Sequence, residues 1–504
     1  MPDDGRVPVL VGVGQVRGNT ARAPEAAREP LALAEDAARA AGADSGAPAL
    51  LSEADSVLAI KSSSWAYDDL PTLLARRLHA SPKHRATTTV GGHWPAALLD
   101  EAAAGIASGD SRVALLVGAE AQASVSALAR AGLDPGADHG WTREPGGPPS
   151  FEPDELGSTA MQSAGLVMPT RVYPLFENRL RYRTGQSPAA NTAASARMYA
   201  AFTEVAARNP AAWNPTVRSA EDIATVGPAN RMVCEPYPLA MNAMPHVDQA
   251  AAVLVTSLAT AREYGISEDR IVYVRGGAGA HDSGDILDRP DFSRSAALET
   301  ALRRCLTQGG VSARELDVLD VYSCFPVVPK LVVEALGLPA DSVPTVTGGH
   351  SAFGGPLSSY SLHATVAVAT RLRAGAATGL VHANGGYLTA QHAVLLSRAP
   401  HPDGYVGDPD PVSTSSADSA PPKGPVPDGE VVVETATVEY GKDGAPSQGF
   451  LIGRTGDGTR VVGQTAPGDA ASAQALSVAS GTEVVGRTVR VSAGEAFLEV
   501  APAG

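Results

Sequence analysis

Two stretches of the chain alternate short apolar runs with segments whose apolar positions recur at helical spacing. The first opens with Val9–Val13, a short apolar run that stops at Gly14 and predicts a core strand. Glu29–Ala41 predicts a helix from Leu31, Leu33, Ala34, Ala37 and Ala38. Asp55–Ile60 then predicts a strand, Leu70–Leu78 a helix, and Thr87–Val90 an extended β-branched segment broken by Gly91 and Gly92. Pro95–Ile106 predicts an alanine-rich helix and Ser111–Val117 a strand. The second stretch runs Arg270–Val274 (strand), Arg294–Cys305 (helix), Val318–Val321 (strand), Pro329–Leu336 (helix) and Leu357–Arg373 (helix). It ends in the strand pattern TGLVHANGG from Thr378. Strands alternating with helices favour a mostly parallel sheet covered by helices, an α/β fold.

Between these stretches, Glu120–Val247 has no regular rhythm. Leu133–Glu155 is rich in Gly, Pro and acidic residues and predicts a loop excursion. Asn191–Ala207 predicts a helix, and Leu239–Val247 another loop. Asp248–Thr260, with its dense alanine and valine face, predicts a helix that Asp248 and Gln249 would cap. Residues 401–424, HPDGYVGDPDPVSTSSADSAPPKG, predict a linker. Beyond it come short strands at Val431–Tyr440, Gly449–Arg454, Thr459–Thr465, Glu483–Val491 and Phe497–Val500, punctuated by Gly and Pro. They predict a small all-β unit, a barrel or sandwich.

Composition narrows the function more than the fold. A chain of 504 residues buries a substantial core and predicts two to four compact units. A formal net charge of -15 argues against nonspecific nucleic-acid binding and against an anionic membrane surface. Cys234, Cys305 and Cys324 lie far apart in sequence and suggest no metal site and a reducing, cytoplasmic setting. The start, MPDDGRVPVLVGVG, does not read as a signal peptide, and no apolar run predicts a membrane span. Gly276 and Gly277 lack the spacing of a nucleotide-binding loop, so no tightly bound cofactor is predicted.

The glycine-rich turns carry the chemistry. Thr347 opens TGGHSAFGGP, where Gly348, Gly349, Gly354 and Gly355 permit tight turns and Pro356 favours a helix start. Asn384-Gly385-Gly386 makes a second turn after an apolar strand, VYSCF spans 321–325, and VGGHWPAALLDEAAAGI begins at Val90. Together these segments resemble the thiolase superfamily, nearest its sterol-carrier-type members and the mycobacterial thiolase-like branch with an extra C-terminal domain. The resemblance runs through most of residues 9–400. It implies duplicated layered halves at 1–120 and 262–400, a loop domain at 121–261, and, after the 401–424 linker, a β-domain at 425–504.

Thiolase chemistry needs an acyl-accepting thiolate, a base beside it, a proton-transfer cysteine and donors for developing oxyanions. By the resemblance, the acyl-accepting cysteine falls at Gly92 and the activating histidine at Gly355. Tyr322 and Ser323 stand where the sterol-carrier type has histidine and aspartate. The terminal cysteine falls at His382, with Asn384 as the alternative register. The resemblance therefore implies a protein that binds coenzyme A or an acyl-CoA thioester without the usual covalent chemistry. His93, His382 and Tyr322 are its candidates for an atypical acyl transfer. Ligand contacts are expected at Met244, His246, Ser351, Ala352 and Phe353, with Asn242 and Pro245 beside them. Cys324 reads as a buried structural thiol. The other reading is a non-catalytic scaffold whose β-domain meets a partner protein, and the chain is expected as a monomer or a homodimer.

Overall fold

A computed structural model of the chain describes every residue except 1, 2, 19, 143–149, 151–156, 416–419, 480, 482, 495 and 504. The first half runs β1 (Pro8–Arg17), α1 (Pro30–Ser45), β2 (Ser56–Ala59), α2 (Leu70–Leu78), β3 (His84–Thr87), α3 (Trp94–Ser108) and β4 (Val113–Ala121). A long excursion follows: α4 (Gln122–Ala131), α5 (Pro135–His139), α6 (Thr159–Ser163), α7 (Pro169–Arg183), α8 (Pro188–Ala206), α9 (Ala220–Ala224), β5 (Met232–Cys234) and β6 (Tyr237–Pro238). The chain returns as β7 (Asp248–Ser257) and α10 (Leu258–Glu263). The second half is β8 (Val272–His281), α11 (Ala296–Gln308), β9 (Val318–Val321), α12 (Val327–Ala335), α13 (Tyr360–Arg373), β10 (Thr378–Gly385) and β11 (Ala390–Ser397).

The halves repeat one another. Strand order is β3-β2-β4-β7-β1-β8-β11-β10-β9. The seam is a short antiparallel meeting of β1 and β8, at Val9↔Tyr273 and Leu10↔Val272. Outward from it, β7 and β11 are each antiparallel to their neighbours, and β2–β4 and β9–β10 are parallel. Among the described residues the second half has no strand matching β3; the glycine segment from Thr347 takes that place before α13. Helices α3 and α13 touch each other and strands of both halves, so they form a shared central layer. The outer layers are α1 over β1, β4 and β7, and α11 over β8 and β11. The result is a mixed α/β, layered arrangement, as expected, but its sheet is not mostly parallel. Five of the eight neighbouring pairs along the strand order are antiparallel, since β10 and β11 form a hairpin and β7 enters from the excursion rather than by a helical crossover.

Three further expectations need correction. Asp248–Thr260 is not a helix: Asp248–Ser257 is strand β7, with all ten positions buried between β4 and β1. Burial on both faces removes the period-two signal and leaves a continuous apolar run that also fits a helix. Asp248 does cap a helix, but a different one. It accepts from the Ser124 main-chain N–H (3.0 Å) and hydroxyl (2.6 Å) in the first turn of α4. Second, residues 401–424 are not a free linker. Asp408–Ser413 forms strand β12, paired parallel with β8, and Tyr405 donates to Asp100 Oδ1 at 2.7 Å. Gly276 permits this, since a Cβ there would stand 2.2 Å from the Gly407 nitrogen. Third, the strand expected from Glu483 begins only at Thr488. Much of the Leu133–Glu155 stretch lies outside the described residues.

The C-terminal β-rich unit comprises β13 (Gly429–Tyr440), β14 (Pro446–Arg454), β15 (Arg460–Gln464), α14 (Ala470–Ala475), β16 (Thr488–Ala493) and β17 (Leu498–Pro502). Its order is β15-β14-β13-β16-β17. It has its own small core, including Val431, Val433, Leu451, Leu476 and Val489. It is joined to the body by buried polar contacts. Arg460, fully buried, grips Glu434 at 2.8 and 2.5 Å and donates to the Leu287 carbonyl. Arg181, 1% exposed, pairs with Glu483 at 2.6 Å. Hairpin β5–β6 adds to the same sheet through Cys234↔Glu439.

Candidate functional site

Four segments meet where the resemblance points: the start of α3, the end of β9, the glycine segment before α13, and the end of β10. Asp320 on β9 holds the glycine segment. Its Oδ2 accepts from the Thr345 hydroxyl (2.9 Å) and from the main-chain N–H groups of Val346 and Thr347 (both 2.8 Å). Burial pushes the Asp320 carboxyl up to about 6, against the lowering effect of those hydrogen bonds.

Gly92, at the start of α3, faces Tyr322. A Cβ on Gly92 would lie 2.3 Å from Tyr322 Oη and 2.4 Å from Cε2 and Cζ. The phenol therefore fills the space a nucleophile's side chain would take. Tyr322 is buried, and burial together with the neighbouring Cys324 thiol raises its pKa. The ring packs 4.2 Å from the His350 ring, which stacks on Tyr360 at 3.6 Å. His350 Nδ1 lies 3.2 Å from Ser323 Oγ, and burial holds its pKa well below the usual histidine value. At Gly355, a Cβ would meet the Met244 nitrogen and oxygen at 3.3 Å, because Gly355 donates to Met244 O (2.9 Å) and Met244 to His350 O (3.0 Å).

His93 and His382 are not brought together. His93 Nδ1 lies 2.2 Å from where a Gly385 Cβ would be, and it is buried without a hydrogen-bond partner. Burial, reinforced by His392, lowers the His93 pKa to about 3. His382 stands three residues before Gly385 on β10, so strand alternation turns it to the opposite face. There it begins a relay. His382 Nε2 meets Gln391 Oε1 at 2.9 Å, and Gln391 donates to Asn384 Oδ1 at 2.6 Å. Asn384 donates to Tyr173 Oη at 2.8 Å, and Tyr173 donates to Gly386 O at 2.7 Å. Burial lowers the His382 pKa to about 4, so both imidazoles are neutral near pH 7.

Cys324 is 9% exposed, and burial pushes its thiol up to about 12, a packed rather than a reactive cysteine. Met244 clamps the glycine segment as described. His246 is exposed, with Nδ1 3.3 Å from Ser126 Oγ. Ser351 is partly exposed, whereas the side chains of Ala352 and Phe353 are buried. The Phe353 carbonyl is taken by Trp213 N–H (2.6 Å) and Gln249 Nε2 (3.0 Å). Sequence reasoning missed Tyr173, Gln391 and Asp320. Tyr173 sits in a stretch without hydrophobic rhythm. Asp320 had a signal, a lone carboxylate within the apolar strand VLDV. Among the described residues no group of three or more His, Cys, Asp or Glu is placed to hold a metal ion, and no helix is long and apolar enough to cross a membrane.

Comparison with known proteins agrees with this architecture. The thiolase-like protein type 1 additional C-terminal domain matches residues 414–496. The crystal structure of a monomeric SCP2-thiolase-like protein type 1 from Mycobacterium smegmatis superposes with a TM-score of 0.81 and 30% identity, covering 99% of this chain and 100% of that one. An Ltp2-ChsH2(DUF35) aldolase shares the fold at TM-score 0.58 and 18% identity over 78% of this chain and 98% of its own. The acetyl-CoA acetyltransferase of Methanothermobacter thermautotrophicus is 28% identical over 208 residues, 36% of this chain and 52% of the relative, so the chain spans about half that protein's length. A probable acetyl-CoA acetyltransferase of Mycolicibacterium smegmatis is 29% identical over 142 residues, 27% of this chain and 34% of its own. With a full-length match at that identity and its additional C-terminal unit, the chain belongs to the family of SCP2-thiolase-like proteins of type 1.

Proposed function

We propose that this protein binds coenzyme A or an acyl-CoA thioester and does not form a covalent acyl-enzyme. The observation that carries the reading is the Tyr322 phenol packed where a side chain on Gly92 would project. An acyl group has no sulfur to move to at that corner, and Cys324 is a buried thiol whose pKa is pushed up to about 12. Any group transfer would run directly from bound thioester to acceptor, with Tyr322 as a hydrogen-bond donor and His93 or His382 as neutral imidazole bases. Ligand contact would come from the exposed or partly exposed residues His246 and Ser351 and from the Met244 loop, with Ala352 and Phe353 shaping the wall from behind. The like-named relatives support a thioester as the ligand class. A cytoplasmic location fits such a ligand.

The burial of Tyr322 and His382 favours a second reading, in which the protein is a scaffold and its β-rich unit meets a partner. One experiment separates the two. The full chain is incubated with a panel of acyl-CoA thioesters, and binding, free coenzyme A release and protein mass are followed separately. Saturable binding with no mass adduct is the expected result. An acyl adduct on Cys324 would refute the noncovalent reading, and no binding across the panel would leave the scaffold.

A further inference from the structure

Polar groups converge at a second place, where α7 meets the C-terminal strands. A cleft of about 430 Å³ lies there, walled by Arg179, Tyr182, Asp291, Val432, Glu434 and Arg454 among others. Tyr182 and Val432 are large apolar side chains left 40% and 44% exposed. The Arg179 guanidinium sits 5.5 Å from the centre of the Tyr182 ring. Its Nε lies 3.3 Å from Asp291 Oδ1, and among the described residues its two Nη atoms have no partner. Asp291 is already engaged by the main-chain N–H and hydroxyl of Ser293. On the other wall, Arg454 Nη1 donates to the Gly458 carbonyl at 3.1 Å and Nη2 reaches Glu434 Oε1 at 3.3 Å, but that carboxylate is held more closely by buried Arg460 at 2.8 and 2.5 Å. Three guanidiniums thus share two carboxylates, a local positive surplus in a chain of net charge -15. Gly486 leaves room for the phenol, since a Cβ there would stand 2.3 Å from Tyr182 Oη.

We propose that this cleft binds a small organic carboxylate with an apolar body. The carboxylate bridges the free Nη atoms of Arg179 and the Nε side of Arg454, where charge-assisted hydrogen bonds to a planar anion are strong. The apolar body lies on Tyr182 and Val432, surface that otherwise stays in water. The volume falls within the range of small-molecule sites, roughly 300–1,000 Å³. The cleft shares no residue with the surroundings of Gly92, so it stands apart from the thioester reading.

The test titrates benzoate, its neutral analogue benzamide, and inorganic phosphate into the full chain, with saturation-transfer NMR as the readout. Saturable benzoate binding is expected, with benzamide and phosphate weaker by roughly tenfold or more, the loss expected when a charged hydrogen bond or the apolar contact is absent. Arg179→Gln and Arg454→Gln should each weaken benzoate by about the same factor. Tyr182→Ala should weaken benzoate and leave phosphate unchanged. Thermal melting and acyl-CoA binding of each variant check that the fold and the other site are intact. Equal affinity for benzamide or phosphate, unchanged affinity in the Arg179→Gln/Arg454→Gln double variant, or no saturable benzoate binding would each overturn the assignment.

Discussion

Placing a methyl group on Gly92 tests the central steric feature of the site. The added carbon would stand 2.3–2.4 Å from three atoms of Tyr322, where ordinary contact begins near 3.4 Å. The ring would have to move by about an ångström, yet it is buried, lies 4.2 Å from His350, and packs edge-on to Tyr360 at 5.9 Å. Overpacking of this kind costs about 1–3 kcal/mol, so Gly92→Ala should be destabilised by that amount. Tyr322→Ala alone should lose about 3–5 kcal/mol through the cavity it leaves. In the double variant the new methyl enters that cavity. The two losses should therefore fall short of adding by about 1–3 kcal/mol, a coupling expected only of residues in direct contact. Tyr322→Phe sharpens the test, because the ring carbons still stand at 2.4 Å after Oη is gone. Gly92→Ala should remain destabilising in that background. Urea unfolding followed by tryptophan fluorescence at one fixed pH gives all the corners. A neutral Gly92→Ala, or Gly92→Ala and Tyr322→Ala effects that add within about 0.5 kcal/mol, would show that the phenol does not occupy the corner.

Other outcomes follow from the same geometry. The Asp320 carboxyl is raised from 3.8 to about 6 by burial, so the folded state holds its proton more tightly than the unfolded chain does. As pH rises from about 4 to 6 the wild type should lose about 3 kcal/mol relative to Asp320→Asn, which stays neutral throughout; parallel unfolding curves of the two proteins would refute this reading. His382 behaves in the opposite sense. Its pKa is lowered to about 4, so stability falls as pH drops through 6.5 towards 4, and His382→Gln should flatten that limb by about 3 kcal/mol. In the native protein all three cysteines should resist a thiol reagent at pH 8, since each is buried and Cys324 holds on the order of one thiolate in ten thousand. Stoichiometric labelling within minutes would refute this. Arg460→Ala leaves Glu434 without its closest partner and takes away the donor to the Leu287 carbonyl of the body, so it should cost about 3–5 kcal/mol, read as increased proteolysis near residues 401–430; an unchanged digestion pattern would show that Arg460 does not hold the C-terminal unit in place.

Much of the layered architecture is legible in the chain, for a physical reason. Short apolar runs that end at glycine, such as Val9–Val13, and amphipathic segments with helical spacing, such as Leu70–Leu78, declare themselves locally. Strand β7 does not, because burial on both faces erases alternation, and Asp248 and Gln249 at its start resemble helix caps. Strand β12 hides inside a Pro- and Asp-rich stretch, since its pairing with β8 depends on the close approach at Gly276. In the site, the missing sulfur at Gly92 can be read from one residue. The phenol that fills its place comes from Tyr322, brought there only by tertiary folding. The opposite facing of His93 and His382 depends on register along β10, and the relay through Tyr173 depends on a helix in the excursion that carries no apolar rhythm.

Helix α7 has two clients. One side supplies Tyr173 to the relay that ends at His382; elsewhere along its length Asn178 donates to the Ala436 carbonyl at 2.8 Å, Arg171 pairs with Glu439 at 2.8 Å, and Arg181 with Glu483. A sequence boundary near residue 424 is therefore not a place where the molecule comes apart. Removing everything after it would take away the partners of Arg171, Asn178 and Arg181 and loosen Tyr173, which lies between the first two. What resembles an appendage in the primary structure is, mechanically, a buttress for the interior.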